Sequence, residues 1–149
     1  MYKRLDKQNL PWELLLEADP EKKKVTKYID EGAGFIWEEA GEVLGILVFI
    51  TRDTEFEIMN VSVAPSFQGQ GIGGKLLDYA FEYFHLVKQK QRCVIIRTGS
   101  VTSKALHLYQ KKGFVEVSRE KDYFIHNYKE PIYEDGVLLR DQVTLEKQL

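Results

Sequence analysis

Glu57, Gln68, Tyr109 and the four glycines Gly69, Gly71, Gly73 and Gly74 are the residues of this chain best suited to do chemistry. Glycines at that density ahead of a helix leave consecutive backbone N–H groups free to converge on one spot. The unpaired first-turn amides and the positive end of the helix dipole make that spot an anion site, most readily for a phosphate. A glutamate in a strand is a candidate proton acceptor, directly or through water. A phenol with a pKa of about 10 is a candidate proton donor to a leaving group.

The elements that must hold these residues follow from the pattern around them. Phe56, Ile58, (Met59), Val61 and Val63 have the period-2, β-branched character of a strand, which Pro65 ends at Ala64 because proline cannot donate to a ladder. Ile72, Leu76, Leu77, Ala80, Phe81, Phe84 and Val87 recur at helical spacing, predicting an amphipathic helix to about residue 90. The order is therefore strand, glycine-rich turn, helix. Gly69-x-Gly71-x-x-Gly74 matches the dinucleotide fingerprint as a bare pattern. That fingerprint starts at the strand end and needs an acidic residue about 20 positions on. Here five residues intervene, and the next strand closes in Arg97-Thr98-Gly99. Gly69-x4-Gly74-Lys75 approaches a P-loop, but Leu76 stands where a Ser or Thr must ligate magnesium.

The third motif, Gln68-x-x-Gly71-x-Gly73, preceded by Val61-Ser-Val-Ala-Pro65 and followed by a long helix, resembles the pyrophosphate loop of the GCN5-related N-acetyltransferases. Ala105, Leu108, Tyr109, Gly113 and Phe114 are similar to the second half of the same family's pattern, with Thr102 where an asparagine is usual. Leu14 to Pro20 and Gly136 to Asp141 are similar to a branch of that family labelled IAA acetyltransferases. The resemblance spans nearly the whole chain, and its specific motifs lie between about residues 56 and 114. It implies the family's α+β fold: a three-layer arrangement with a central mixed, mostly antiparallel sheet of about seven strands, flanked by about four helices. It implies acetyl-CoA as co-substrate and no metal. Gln68, Gly69, Gln70, Gly71, Ile72, Gly73 and Gly74 would hold the pyrophosphate. The backbone of Val61 and Val63 would lie along the pantetheine, with the Val61 N–H facing the thioester carbonyl. Thr102 would reach the pantetheine arm or cap the helix, and Tyr109 would protonate the thiolate. Glu57 stands eleven positions before Gln68, where several relatives carry the base, with Glu55 in reserve. Strand alternation puts Glu57 on one face with Glu55 and Met59, and Asn60 on the other, where it could order a water.

The rest of the chain fits this reading. A short strand at about Tyr2 to Leu5 precedes two helices, from Pro11 to near Asp19 and, with Asp19 as cap and Pro20 as first residue, to Ile29. Phe35–Glu39 and Val43–Ile50 form a hairpin around Ala40-Gly41-Glu42. Gly45 marks a bulge or a close approach. The strand from about Cys93 to Thr98 runs parallel to the one carrying Glu57. A helix over Ala105–Tyr109, stopped at Gly113, then returns to a strand at Phe114 to Val117. A turn at Asp135-Gly136 leads to a last strand, Val137 to Leu145. A meander joined to a βαβ unit is α+β with a mixed sheet.

At 149 residues and a net charge of −2, the expectation is one domain over residues 1–149. That charge excludes a nucleic-acid groove or an anionic membrane surface. No apolar run reaches the length of a membrane span, and no leader is evident. A single cysteine, Cys93, reads as an inert core residue, and with no leader it points to the cytoplasm. His85, His107 and His126 lack metal-ligand spacing. The expected activity is direct transfer of acetyl from the thioester to a primary amine of a small molecule or protein. Its alternative is a non-catalytic acyl-CoA-binding regulatory or sensor module. Glu55, Glu57, Asp122 and Glu130 favour a cationic acceptor such as a polyamine, an aminoglycoside, a lysine or a protein N-terminus. A second copy of the chain is a further candidate partner.

Overall fold

Strand alternation, turn chemistry and one long amphipathic helix account for most of the architecture. The computed structural model describes residues 1–101 and 103–149. The chain runs β1 (Tyr2–Arg4), α1 (Trp12–Ala18), α2 (Lys22–Glu31), β2 (Ala33–Glu39), β3 (Glu42–Thr51) and β4 (Glu55–Val63). After a short 3₁₀ turn at Pro65–Phe67 it continues through α3 (Ile72–Val87), β5 (Cys93–Gly99), α4 (Lys104–Lys111), β6 (Val115–Glu120) and α5 (Tyr123–Asn127). The two-residue strands β7 (Tyr133–Glu134) and β8 (Val137–Leu138) and then β9 (Gln142–Gln148) complete it.

Seven strands form one sheet in the order β1-β2-β3-β4-β5-β9-β6, and only β4 and β5 are parallel. The expected α+β fold with a mixed, mostly antiparallel sheet is what is found. Among the described residues it carries five helices rather than about four, because Tyr123–Asn127 coils into a short helix that its sequence pattern does not announce. The expected last strand is divided. Val137–Leu138 pairs with Tyr133–Glu134 across a turn at Asp135-Gly136, and β9 starts at Gln142. Helix α2 starts at Lys22 rather than Pro20, with the Asp19 carboxylate accepting from the Glu21 amide at 3.2 Å instead of capping a first turn.

Two cores lie on opposite faces of the sheet. On one, α3 and α4 cover Phe35, Leu47, Phe49, Phe56 and Ile58, with Leu76, Leu77, Ala80 and Phe84 fully buried. Phe56 stacks on Phe84 with ring centroids 4.3 Å apart. On the other, α1 and α2 cover Ile36, Ile46, Val48 and Ile50 with Leu15, Val25 and Ile29. Gly45 fulfils both of its expected roles. The β2–β3 register shifts beside its partner Trp37, and a Cβ at Gly45 would stand 2.9 Å from both Ile72 and Leu76 side chains. Without that gap α3 could not settle on the sheet.

One feature of β4 changes the expected facing of its residues. Val48 pairs with Asn60 and Phe49 with Ile58, so Met59 is an extra residue, a β-bulge. Phe56 and Ile58 therefore share a face with Val61 and Val63, and the face of Glu57 continues at Asn60 and Ser62. Asn60 does not lie opposite Glu57, as unbroken alternation predicts. It is buried, and its amide donates to the Leu15 carbonyl and the Tyr28 hydroxyl, both at 2.9 Å, while its carbonyl accepts from Ser62 Oγ at 3.1 Å. It fastens α1 and α2 to β4. Asn60→Ala strands these partners in the interior and should cost about 1–3 kcal/mol. Urea unfolding should show this as a lower midpoint at unchanged slope. No change in midpoint would mean that other contacts fasten the two helices.

Candidate active site

The site begins where β4 leaves β5. Their parallel pairing runs from Glu55–Cys93 to Ile58–Ile96 and stops, although β4 continues to Val63 and β5 to Gly99. Ala64 N–H donates to the Leu44 carbonyl at 2.8 Å. Facing alternates along an antiparallel ladder, so Ser62 and Asn60 turn their backbone groups to β3. Val61 and Val63 turn theirs to the edge that β5 has vacated. The Gln68 amide, donating to the Val63 carbonyl at 3.0 Å, approaches from that side.

The opening is a cavity of about 860 Å³. Its floor is Met59–Val63 and Ile96–Thr98, its head the turn from Gln68 to Gly74, and one wall His107, Leu108 and Tyr109 of α4. Gly71 is the residue before α3 and has φ 83°, the left-handed region that favours glycine. A Cβ there would touch nothing within 4 Å, so the turn is shaped around open space at the helix N-terminus. Gln68, Gly69, Gly71, Ile72, Gly73 and Gly74 line the cavity and Gln70 does not. The Gln68 side chain is tied to β4 and so positions the turn. Thr102 lies outside the described residues. The cap of α4 is Ser103, whose hydroxyl accepts from the Leu106 amide at 3.1 Å.

The ring of Tyr109 packs edge-on against Phe114, and its residue is 6% exposed. Its hydroxyl has no hydrogen-bond partner among the described residues, yet no buried polar side-chain atom among them is unpartnered. The residue lines the cavity. Burial, with the charge of Glu134, pushes this phenol above its ordinary pKa. It stays neutral at working pH and is a weaker acid than an unperturbed tyrosine.

Glu57 is held differently from the expectation. It is buried, and its Oε1 accepts from Arg52 Nε at 3.0 Å and Nη2 at 2.9 Å, while its Oε2 accepts from Arg97 Nη1 at 2.7 Å. Three of a carboxylate's roughly four acceptor positions are thus taken by guanidinium groups. That geometry disfavours proton acceptance from an amine. Glu57 lines a second, smaller cavity of about 290 Å³, which adjoins the first through shared walls at Ile58, Met59 and Arg97. Glu55, Asp122 and Glu130 line neither cavity. Asp122 is paired with Arg140 at 3.1 Å and Glu130 is exposed, so of the four expected acids only Glu57 lies on a cavity, and the acids that line the larger one are Glu17, Glu134 and Asp135.

Sequence reading missed Arg52, Arg97 and Asp19 as site residues. Arg97 had a signal, a lone charge after Val94-Ile95-Ile96. Asp19 reads as a helix cap, but it lies on the smaller cavity. There burial pushes its carboxyl up, against hydrogen bonds from the Glu21 amide and the Tyr128 hydroxyl. Residues 131–135, which close the larger cavity, carry no pattern that places them there. Cys93 is half-buried, not a core residue. It sits at the far end of β5 from the opening, and burial followed by the charges of Glu146 and Glu55 pushes its thiol up, away from nucleophile behaviour.

A split parallel pair, backbone groups facing the split and an anion cradle at its head define a fold that takes a long phosphorylated thioester. Acetyl-CoA fits the donors present. The model of the acetyltransferase (GNAT) domain matches residues 30–116. An uncharacterised N-acetyltransferase of Bacillus subtilis, YvbK, is 36% identical over 135 residues, covering 90% of this chain and 86% of its own. The solved IAA acetyltransferase of Bacillus cereus superposes with a TM-score of 0.92 at 37% identity, covering 100% and 99% of the two chains. A GNAT acetyltransferase of Elizabethkingia anophelis, solved with acetyl-CoA bound, gives 0.92 at 32% identity over 100% and 97%. The chain belongs to the GNAT family of N-acetyltransferases. Acetyl-CoA is its co-substrate, and no cluster of metal-ligating side chains occurs among the described residues.

Gly71→Asp puts a carboxylate into the cradle. Aspartate tolerates the left-handed conformation better than most residues, so the fold should persist. Titration calorimetry should show coenzyme A affinity lowered at least tenfold, about 1.4 kcal/mol. Unchanged affinity in the folded variant would remove the pyrophosphate from this turn.

Proposed function

We propose that residues 1–149 form one cytoplasmic catalytic domain that transfers acetyl directly from acetyl-CoA to a primary amine. The observation that carries this is the stretch of β4 at Val61 and Val63 that β5 leaves unpaired, with only the Val63 carbonyl taken, by the Gln68 side chain, facing a cleft with the Gln68–Gly74 turn at its head. Acetyl-CoA supplies the activated acyl group. The amides of the turn bind its pyrophosphate. The Val61 N–H donates to the thioester oxygen as negative charge builds there, a contact made stronger by the restricted access of water. As the amine nitrogen bonds to the acyl carbon, the C–S bond breaks and its electron pair leaves on sulfur. The Tyr109 hydroxyl gives its proton to that sulfur, which leaves as thiol, and the tyrosine regains a proton from solvent water. The amine's proton passes to water in the smaller cavity, where the raised carboxyl of Asp19 is available to take it. Glu57 serves to hold Arg52 and Arg97.

A non-catalytic acyl-CoA module needs neither a tyrosine in the wall of the cleft nor a second cavity adjoining it. Both are present, which supports the enzyme. Tyr109→Phe keeps the ring packing, so stability and coenzyme A affinity should barely move while kcat falls by about 10²-fold. The deficit should shrink with an acyl donor whose thiol is more acidic. A variant equally slow with both donors, or not slow at all, would release Tyr109 from this role.

A further inference from the structure

We propose that the amine acceptor carries a carboxylate, which Arg52 and Arg97 recognise in the smaller cavity. This rests on the transferase reading above and names the class of its acceptor. The two guanidinium side chains share one buried carboxylate, that of Glu57, whose side chain is 5% exposed while theirs are each 42% exposed. The trio is thus one positive charge in excess, with its anion inside and its cations turned outward. On the remaining wall Lys24 and Lys27 face Asp19 and Glu31, so the lining as a whole keeps that single excess.

A purely structural ion pair needs one guanidinium per carboxylate. The second one makes sense if another anion joins. Each guanidinium has donors left over, since Glu57 uses Nε and Nη2 of Arg52 and only Nη1 of Arg97. Their planar forks match a two-oxygen anion. One excess charge balances a carboxylate better than a phosphate monoester, which carries about −1.5 to −2. Glu57 keeps the forks oriented before the ligand arrives, so little side-chain freedom is lost on binding.

The placement also suits the reaction. Arg97 lines both cavities, so a carboxylate held there puts the rest of a small molecule beside the cleft. Tyr28, Tyr123, Tyr128 and Met59 give its body an apolar, aromatic wall. An acceptor amine must lose its proton before it attacks, and nearby guanidinium charge favours the neutral amine. An acidic pocket would bind an ammonium more firmly and leave it unreactive. The acceptor class is therefore an amino acid, or an amine joined to a carboxylate by a short chain.

Thiol release from acetyl-CoA would be followed with a panel of α-, β-, γ- and longer amino acids, each paired with its uncharged carboxamide. Spermidine and ethanolamine phosphate complete the panel. At least one acid should exceed its own amide in kcat/KM by about tenfold or more, the exposed setting of the arginines keeping the ratio below that of a fully buried site. In Arg52→Gln that ratio should fall toward one, mainly through KM, with coenzyme A affinity by calorimetry unaltered, since Arg52 lines only the smaller cavity. Should Arg52→Gln not fold, Arg52→Lys keeps the charge, loses the fork, and should lower the ratio part of the way. Acids no better than their amides, or a preference for spermidine or the phosphate ester, would overturn the inference and leave the transferase reading standing. No transfer to any amine by protein that binds acetyl-CoA would overturn both.

Discussion

The end of pairing between β4 and β5 at Ile58–Ile96 is the constraint on which the site depends. A central strand ordinarily satisfies its backbone on both sides, and buried N–H and C=O groups left without partners are costly. Here β4 keeps β3 on one side while β5 leaves its other edge beyond Ile58, where the Gln68 side chain takes the Val63 carbonyl. The opening is tolerable because a long polar ligand can supply the missing partners. The extra residue Met59 sits at the divergence. It turns Val61 and Val63 toward the apolar core face and hands Asn60 and Ser62 to the helices opposite, where Asn60 fastens α1 and α2. One inserted residue thus separates the residues packed on the α3 side from those that fasten α1 and α2 on the same strand.

Packing on α3 fixes the other end of the cleft. The helix must approach the sheet closely enough for its first-turn amides to stand over the open edge. Gly45 permits that approach, and the stacked Phe56 and Phe84 with Leu76 and Leu77 hold it. The Gln68 side chain then ties the turn to Val63. Cradle and strand edge are positioned by one another, which is the preorganisation that charge stabilisation in a site requires.

Charge is arranged around the same divergence. Glu57 lies before it on β4, Arg97 just beyond it on β5, and Arg52 arrives from the turn between β3 and β4. A carboxylate so held is a support for two cations. The smaller cavity is consequently basic where residue counts near the motif suggested acid. Asp19 keeps a raised carboxyl there because burial outweighs its hydrogen bonds.

Local pattern and glycine chemistry were sufficient to determine the strand–turn–helix unit, the hairpin at Ala40-Gly41, the α4 stop at Gly113 and the mixed sheet. Each depends on periodicity or on a backbone conformation that only certain residues adopt. They were also sufficient to put a glycine-rich turn at the helix N-terminus that lines the cavity, where amides are disposed to bind an anion whatever the side chains. The facing of residues beyond Ile58 was not determined locally. A bulge reverses alternation without changing composition, and the only trace of Met59 in the sequence was the apolar run skipping past it. Nor could the sequence state what Glu57 touches. Its partners are five and forty positions away, and a carboxylate in water, in a cleft or between two guanidiniums reads the same. Tertiary structure decided which groups surround that glutamate, because its chemistry lies in the neighbours that folding brings.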